Sequence, residues 1–104
     1  MLDTSDKAVF ESGYDASLGT SNFGLTITDT KAIVLVWDKV RRNFILANAG
    51  ITPIYISLTP KVTPDLYTLK LRANGIFAMD NYGGIVTAIC DSGQSSKLYI
   101  TDVH

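Results

Sequence analysis

The sequence predicts an all-β fold, an antiparallel β-sandwich or jelly-roll-like barrel of about 7–8 strands, and three observations predict it. Short runs rich in Val, Ile, Thr and Tyr recur along the chain with the alternating pattern of strands. Gly, Asn, Asp, Ser and Pro punctuate them at intervals of roughly 8–12 residues, the spacing of turns in such folds. No run of about 11 residues or more carries a helical apolar stripe.

Residues 1–22 read as an extended N-terminal arm, with Leu2, Val9, Phe10, Tyr14 and Leu18 as isolated apolar points among Ser, Asp, Gly and Thr. A segment of this kind buries too little of its own apolar area to offset the entropy of ordering it, so its anchors need another surface to lie on. The sandwich domain is expected over residues 23–104. Its first strand is Phe23 to Thr28, around Leu25 and Ile27, and Asp29-Thr30-Lys31 turns the chain. Ala32 to Trp37 is apolar throughout, which predicts a strand covered on both faces.

The central stretch, Arg41 to Leu58, reads as a hairpin. Phe44 and Leu46 project to one face, Ile45 and Ala47 to the other, and both faces are apolar. Asn48-Ala49-Gly50 supplies the residue types that adopt positive φ in a reversal, and Pro53, which has no N–H, belongs at a strand start or edge. In the return strand Ile54, Ile56 and Leu58 face the core while Tyr55 and Ser57 face outward. Pro60 and Pro64 make Thr59 to Asp65 a loop. Leu66 to Leu71 is the next strand, Arg72-Ala73-Asn74-Gly75 a turn with the Asn-Gly pair of a hairpin, Ile76 to Met79 a short strand, and Asp80 to Gly84 a bend. Ile85 to Cys90 and Lys97 to Asp102 form the last hairpin, with Val86, Ala88 and Cys90 on one face and Leu98 and Ile100 pointing inward, away from Tyr99 and Thr101.

At 104 residues the chain is one domain, large enough to bury about two thirds of its extended surface without staples. A net charge of −1 with no basic stripe speaks against nucleic acid as a partner, and the one basic doublet, Arg41-Arg42, reads as a solvated strand entrance. The longest apolar run, Ala32 to Trp37, is far short of the ~20 residues of a membrane span, and the N-terminus lacks the layout of a signal peptide. Production in the cytoplasm is the expectation. The single cysteine, Cys90, allows no internal disulfide and no thiolate cage.

Residues able to run a reaction are scarce. His104 is the only histidine and the last residue, which leaves Ser-His-Asp, Cys-His and histidine-zinc arrangements without a placed base. Cys90 sits beside Asp91, whose carboxylate would raise its pKa, and reads as a buried structural thiol. Glu11 is the only glutamate, the aspartates fall mainly in turns, and a calcium site from Asp80, Asn81 and Asp91 would need two adjacent loops. Gly83-Gly84 is a bend and no phosphate cradle. No catalytic residue, metal or cofactor is expected, and no enzyme. The interface candidates are the aromatics Phe10, Tyr14, Trp37, Tyr55, Tyr67, Tyr82 and Tyr99, because such side chains bury area while tyrosine keeps a polar tip.

The run from Arg41 to Asn48 followed by Pro53-Ile54-Tyr55-Ile56-Ser57-Leu58 resembles a pattern of small tailed-phage virion proteins, an Arg-led strand ending in Asn and then a strand of the type P-I-Y-I-x-L. Leu69 to Met79 is similar to their segment before an aspartate-rich bend. Gly84 to Cys90, Ser92-Gly93 and Leu98-Tyr99-Ile100 resemble their closing hairpin. The resemblance covers roughly Lys31 to Asp102 and carries no residues of chemical function. It implies a β-sandwich or jelly-roll subunit of the virion, most simply a capsid decoration or cement protein that stabilises the head shell. The implied partners are the major capsid protein or other virion proteins and further copies of the chain, commonly as a trimer. A minor head-tail or tail component is the alternative within the same class. A carbohydrate-binding module with Tyr82 or Trp37 as stacking platform is the alternative outside it.

Overall fold

The computed structural model describes residues 19–104. Eight strands follow in chain order: β1 (Thr20–Ile27), β2 (Ala32–Leu35), β3 (Asn43–Asn48), β4 (Ile54–Ser57), β5 (Leu69–Leu71), β6 (Ile76–Asp80), β7 (Val86–Ile89) and β8 (Ser96–Val103). They form two four-stranded antiparallel sheets, a front sheet in the order β1-β8-β3-β6 and a back sheet in the order β2-β7-β4-β5. From β1 to β4 and from β5 to β8 each strand lies in the sheet opposite its predecessor. This is the double Greek-key winding of a jelly roll, so the predicted sandwich is present with the expected number of strands.

The alternation of side chains explains the layering. Leu98 and Ile100 of β8, Phe44 and Leu46 of β3, Ile54 and Ile56 of β4 and Val86 and Ala88 of β7 all point between the sheets and are fully buried. Each large apolar side chain placed there stabilises the fold by about 1.5–3 kcal/mol relative to leaving it in water. Phe44 is the centre of the aromatic part, tilted against Phe77 at 6.0 Å and edge-on to Tyr82 at 6.1 Å.

The winding overturns the predicted pairings. β3 and β4 are not a hairpin, because β3 belongs to the front sheet and β4 to the back. The same holds for the Asn-Gly turn between β5 and β6 and for the closing pair β7 and β8. In each case two amphipathic strands consecutive in sequence bury their apolar sides against each other across the ~10 Å between layers. Only β4 and β5 are consecutive and paired.

Asn48 shows how the β3–β4 crossover is held. Its side-chain amide donates to the carbonyls of Thr52 (2.8 Å) and Leu71 (2.9 Å), and its oxygen accepts from the Gly50 N–H (3.0 Å) and the Ser96 hydroxyl (2.6 Å). One buried side chain thereby ties both sheets together. Gly50 does not take positive φ, which among the described residues belongs to Asn74, Asn81 and Gly93.

Double burial falls on other strands than the sequence suggests. β2 and β3 each keep a wet face, with Ile33 53% and Ile45 39% exposed. β4 and β7 are instead buried on both sides, because the proline-containing segment 58–68 folds over the outer face of the back sheet. There Val62 packs with Tyr55 and Ile89, the Thr87 hydroxyl donates to the Thr59 carbonyl (2.8 Å), and Ser57 bonds Thr59 (2.8 Å). β1 begins at Thr20, so residues 20–22 of the predicted arm belong to the front sheet. Residues 1–18 of the arm, with Phe10 and Tyr14, lie outside the described residues.

Candidate functional site

The strand directions gather the loops 36–42, 58–68 and 81–85 at one end of the sandwich, together with Gly19 and His104. The loops 28–31, 49–53, 72–75 and 91–95 lie at the other. The first end holds both a buried polar network and a group of exposed apolar side chains.

The network starts at Arg41, which is buried and not the solvated entrance its sequence position suggests. Its Nε donates to Asp102 Oδ1 (2.9 Å), Nη1 to the Gly84 carbonyl (2.9 Å) and Nη2 to the Val36 carbonyl (2.7 Å). A guanidinium out of water is stable only when its donors are spent this way. One residue thus joins the β2–β3 loop, the β6–β7 loop and β8.

Around it His104 is fastened to Gly19 and Asp38. The His104 N–H donates to the Gly19 carbonyl (2.8 Å), the ring Nδ1 lies 2.8 Å from the same oxygen, and Nε2 bonds Asp38. Both ring partners are acceptors, so the imidazolium satisfies both contacts at once. The Gly19 carbonyl and then the Asp38 carboxylate accordingly hold the His104 pKa above its ordinary value. Asp38 is held below the usual carboxylate range, first by the Val40 N–H (3.1 Å) and then by His104. His104, which the sequence leaves without a fixed position, is thus held in place.

Asp38, Asp102 and His104 bring three potential ligand atoms within 4.8 Å of one another. Each already has polar partners, Arg41 for Asp102, Val40 and His104 for Asp38, and Gly19 for His104, and together they form an ionic clasp. The calcium arrangement considered from sequence is not assembled, because Asp80-Asn81 and Asp91 stand at opposite ends. Cys90 and His104 are likewise at opposite ends, and burial pushes the Cys90 thiol pKa up.

The clasp presents an apolar tip. Val36, Trp37 and Val40 project from the β2–β3 loop with 65%, 71% and 61% of their surface exposed. The loop carrying them is rigid: Asp38 N–H donates to the Gly83 carbonyl (2.8 Å), Arg41 N–H to the Asp38 carbonyl (3.1 Å) and Asn81 N–H to the Arg42 carbonyl (2.6 Å). Gly83 is required there, because a Cβ would collide with the Asp38 carbonyl oxygen. Trp37 was expected inside a doubly covered strand, yet β2 ends at Leu35 after a bulge following Ile33 and releases it into the loop.

The other interface candidates divide. Tyr99, half exposed, stands on the outer face of the front sheet, and Tyr67 is exposed on segment 58–68. Tyr55 points away from the inter-sheet core as expected, but segment 58–68 covers it; the Tyr67 ring lies 4.8 Å away and the Tyr55 hydroxyl donates to the Asp91 carboxylate (3.2 Å). Tyr82 packs edge-on against Phe44, and its hydroxyl sits between the carbonyls of Leu58 (2.7 Å) and Ile85 (2.8 Å). Compared with family models, curated proteins and solved structures, the chain has no significant match in any of the three.

Proposed function

We propose that the chain is a structural virion protein, a decoration or cement subunit that binds a phage head shell and stiffens it by adding contact area. The observation that carries this reading is the apolar tip of Val36, Trp37 and Val40, held out on a loop whose backbone is already fixed. A side chain as large as tryptophan placed in water on a rigid loop costs little ordering entropy when a partner covers it. It is also the residue type most enriched at interface hot spots. The resemblance of Arg41 to Leu58 to phage virion strands supports the choice of partner.

The test is cosedimentation of the purified chain with head shells of the parent phage. Saturable binding that Trp37→Ser weakens by about 10-fold or more, with the fold retained, supports the reading, since a hot spot removed costs about 2 kcal/mol. Particles that lack the chain, or shells that never retain it, refute it.

A further inference from the structure

Four strands lie at sheet edges, and three of them carry devices that discourage another chain from adding on. β5 is three residues long with Lys70 at its centre. β2 is four residues long and bulged. β6 is five residues long, ends on Asp80 and runs straight into Asn81 at positive φ. β1 has none of these. Its eight residues, Thr-Ser-Asn-Phe-Gly-Leu-Thr-Ile, include no charge and no proline, and its register with β8 is unbroken from Thr20 opposite Val103 to Ile27 opposite Ser96.

The ladder shows which backbone groups of β1 remain. His104 N–H donates to the Gly19 carbonyl and Ala49 N–H to the Lys97 carbonyl, which fixes the alternation along β8 from both sides. The odd-numbered residues of β1 therefore bond to β8. Thr20, Asn22, Gly24 and Thr26 turn their N–H and C=O groups to the outer edge, where no described strand pairs with them. The Tyr99 ring lies across Gly24, so close that a Cβ there would meet its carbons at 3.0 Å, and this covers the one position of β1 without a side chain.

We propose that β1 pairs antiparallel with β1 of a second copy about a two-fold axis, with Phe23 opposite Phe23 of the second copy. In this register Thr20 faces Thr26 and Asn22 faces Gly24, so all four outward-turned residues are used, in about eight backbone hydrogen bonds. A shift by two residues uses only three of them, and a shift by one sets core-facing side chains against solvent-facing ones. Phe23, 37% exposed at the rim of the core, meets its counterpart in a non-hydrogen-bonded pair, where Cα atoms approach to about 4.5 Å. The two front sheets become one sheet of eight strands. A strand edge is smaller than the roughly 800 Å² per partner of a standard interface, so the dimer dissociates on dilution. The inference needs β1 alone and stands whether or not the Trp37 tip binds a shell.

Sedimentation equilibrium of the full chain tests it. A concentration-dependent monomer–dimer equilibrium is expected. Asn22→Pro, which deletes an edge-facing N–H without touching the β8 ladder, should weaken it by at least about 10-fold, while Asn22→Ala should leave it nearly unchanged. As a second measurement that does not depend on Asn22→Pro folding, Phe23→Cys should oxidise to a disulfide-linked dimer and Thr26→Cys, which faces Thr20, should not. A monomer at every concentration overturns the proposal. So does an assembly, trimeric or other, that is insensitive to Asn22→Pro, and so does equal cross-linking of the two cysteine variants.

Discussion

Asn48→Ala is the substitution that tests the crossover between the two sheets most severely. It removes an amide that is 1% exposed and makes four hydrogen bonds. Two of its partners, the Leu71 carbonyl and the Ser96 hydroxyl, are buried, and each stranded group costs about 1–3 kcal/mol. The other two, the Thr52 carbonyl and the Gly50 N–H, are partly buried and regain water at a cost of a few tenths to about 1 kcal/mol each. The expected loss is about 4 kcal/mol, a large share of the 5–15 kcal/mol that holds a domain together, and it lowers the melting temperature by about 20 °C. Asn48→Asp adds a control on direction, since it keeps the acceptor but points an oxygen at the two carbonyls. It should be at least as damaging at pH 7 and recover in part near pH 4, where the protonated carboxyl donates once. Urea unfolding followed by far-UV circular dichroism measures both, with the midpoint shifting and the slope unchanged. A loss under about 1 kcal/mol for the alanine variant, or an aspartate variant as stable as the parent at pH 7, would refute the reasoning.

Asp102→Ala should cost about 3–5 kcal/mol in the same assay, because it strands the buried Arg41 guanidinium, and the pair Arg41→Met with Asp102→Leu should regain much of that; a double variant no better than the single one contradicts this. His104 titrates above the ordinary histidine value because its ring faces two acceptors, so its contribution is complete below the unfolded value of about 6.5 and disappears as pH rises through the folded one. The stability difference between the parent and His104→Ala should therefore shrink between pH 6 and pH 9, and an NMR titration giving a pKa at or below 6.5 would be the wrong result. Cys90, fully buried beside the Ile27 carbonyl (3.4 Å), should resist a thiol reagent in the native fold and react at once in urea; rapid native labelling would place it elsewhere.

The strands were legible because period-2 patterning and β-branched composition are local, and β8 illustrates this, with Leu98 and Ile100 inside and Tyr99 outside as read from sequence. Sheet membership was not. The stretch from Phe44 to Leu58 reads the same whether its strands pair in one sheet or face each other across two, and the choice rests on Asn48, whose partners lie up to 48 residues away. Tyr55 and Ser57 alternate outward correctly, yet their burial depends on where the loop around Pro60 and Pro64 comes to rest. Arg41 looked like a surface residue because nothing local distinguishes it from Arg42; its partners Asp102 and Gly84 are distant in the chain. The clasp at His104 was hidden for the same reason. Trp37 was singled out as an aromatic, but its exposure follows from a bulge in β2 that apolar composition does not announce.

The exposed tip is open to one direct measurement, because Trp37 is the only tryptophan in the chain. Its fluorescence should be that of a water-exposed indole, readily quenched by iodide in the free protein, and, on the proposed shell binding, should shift to the blue and become protected when phage head shells are added. An indole already shielded in the dilute chain, or one whose emission and quenching stay unchanged at saturating shell, would contradict the account.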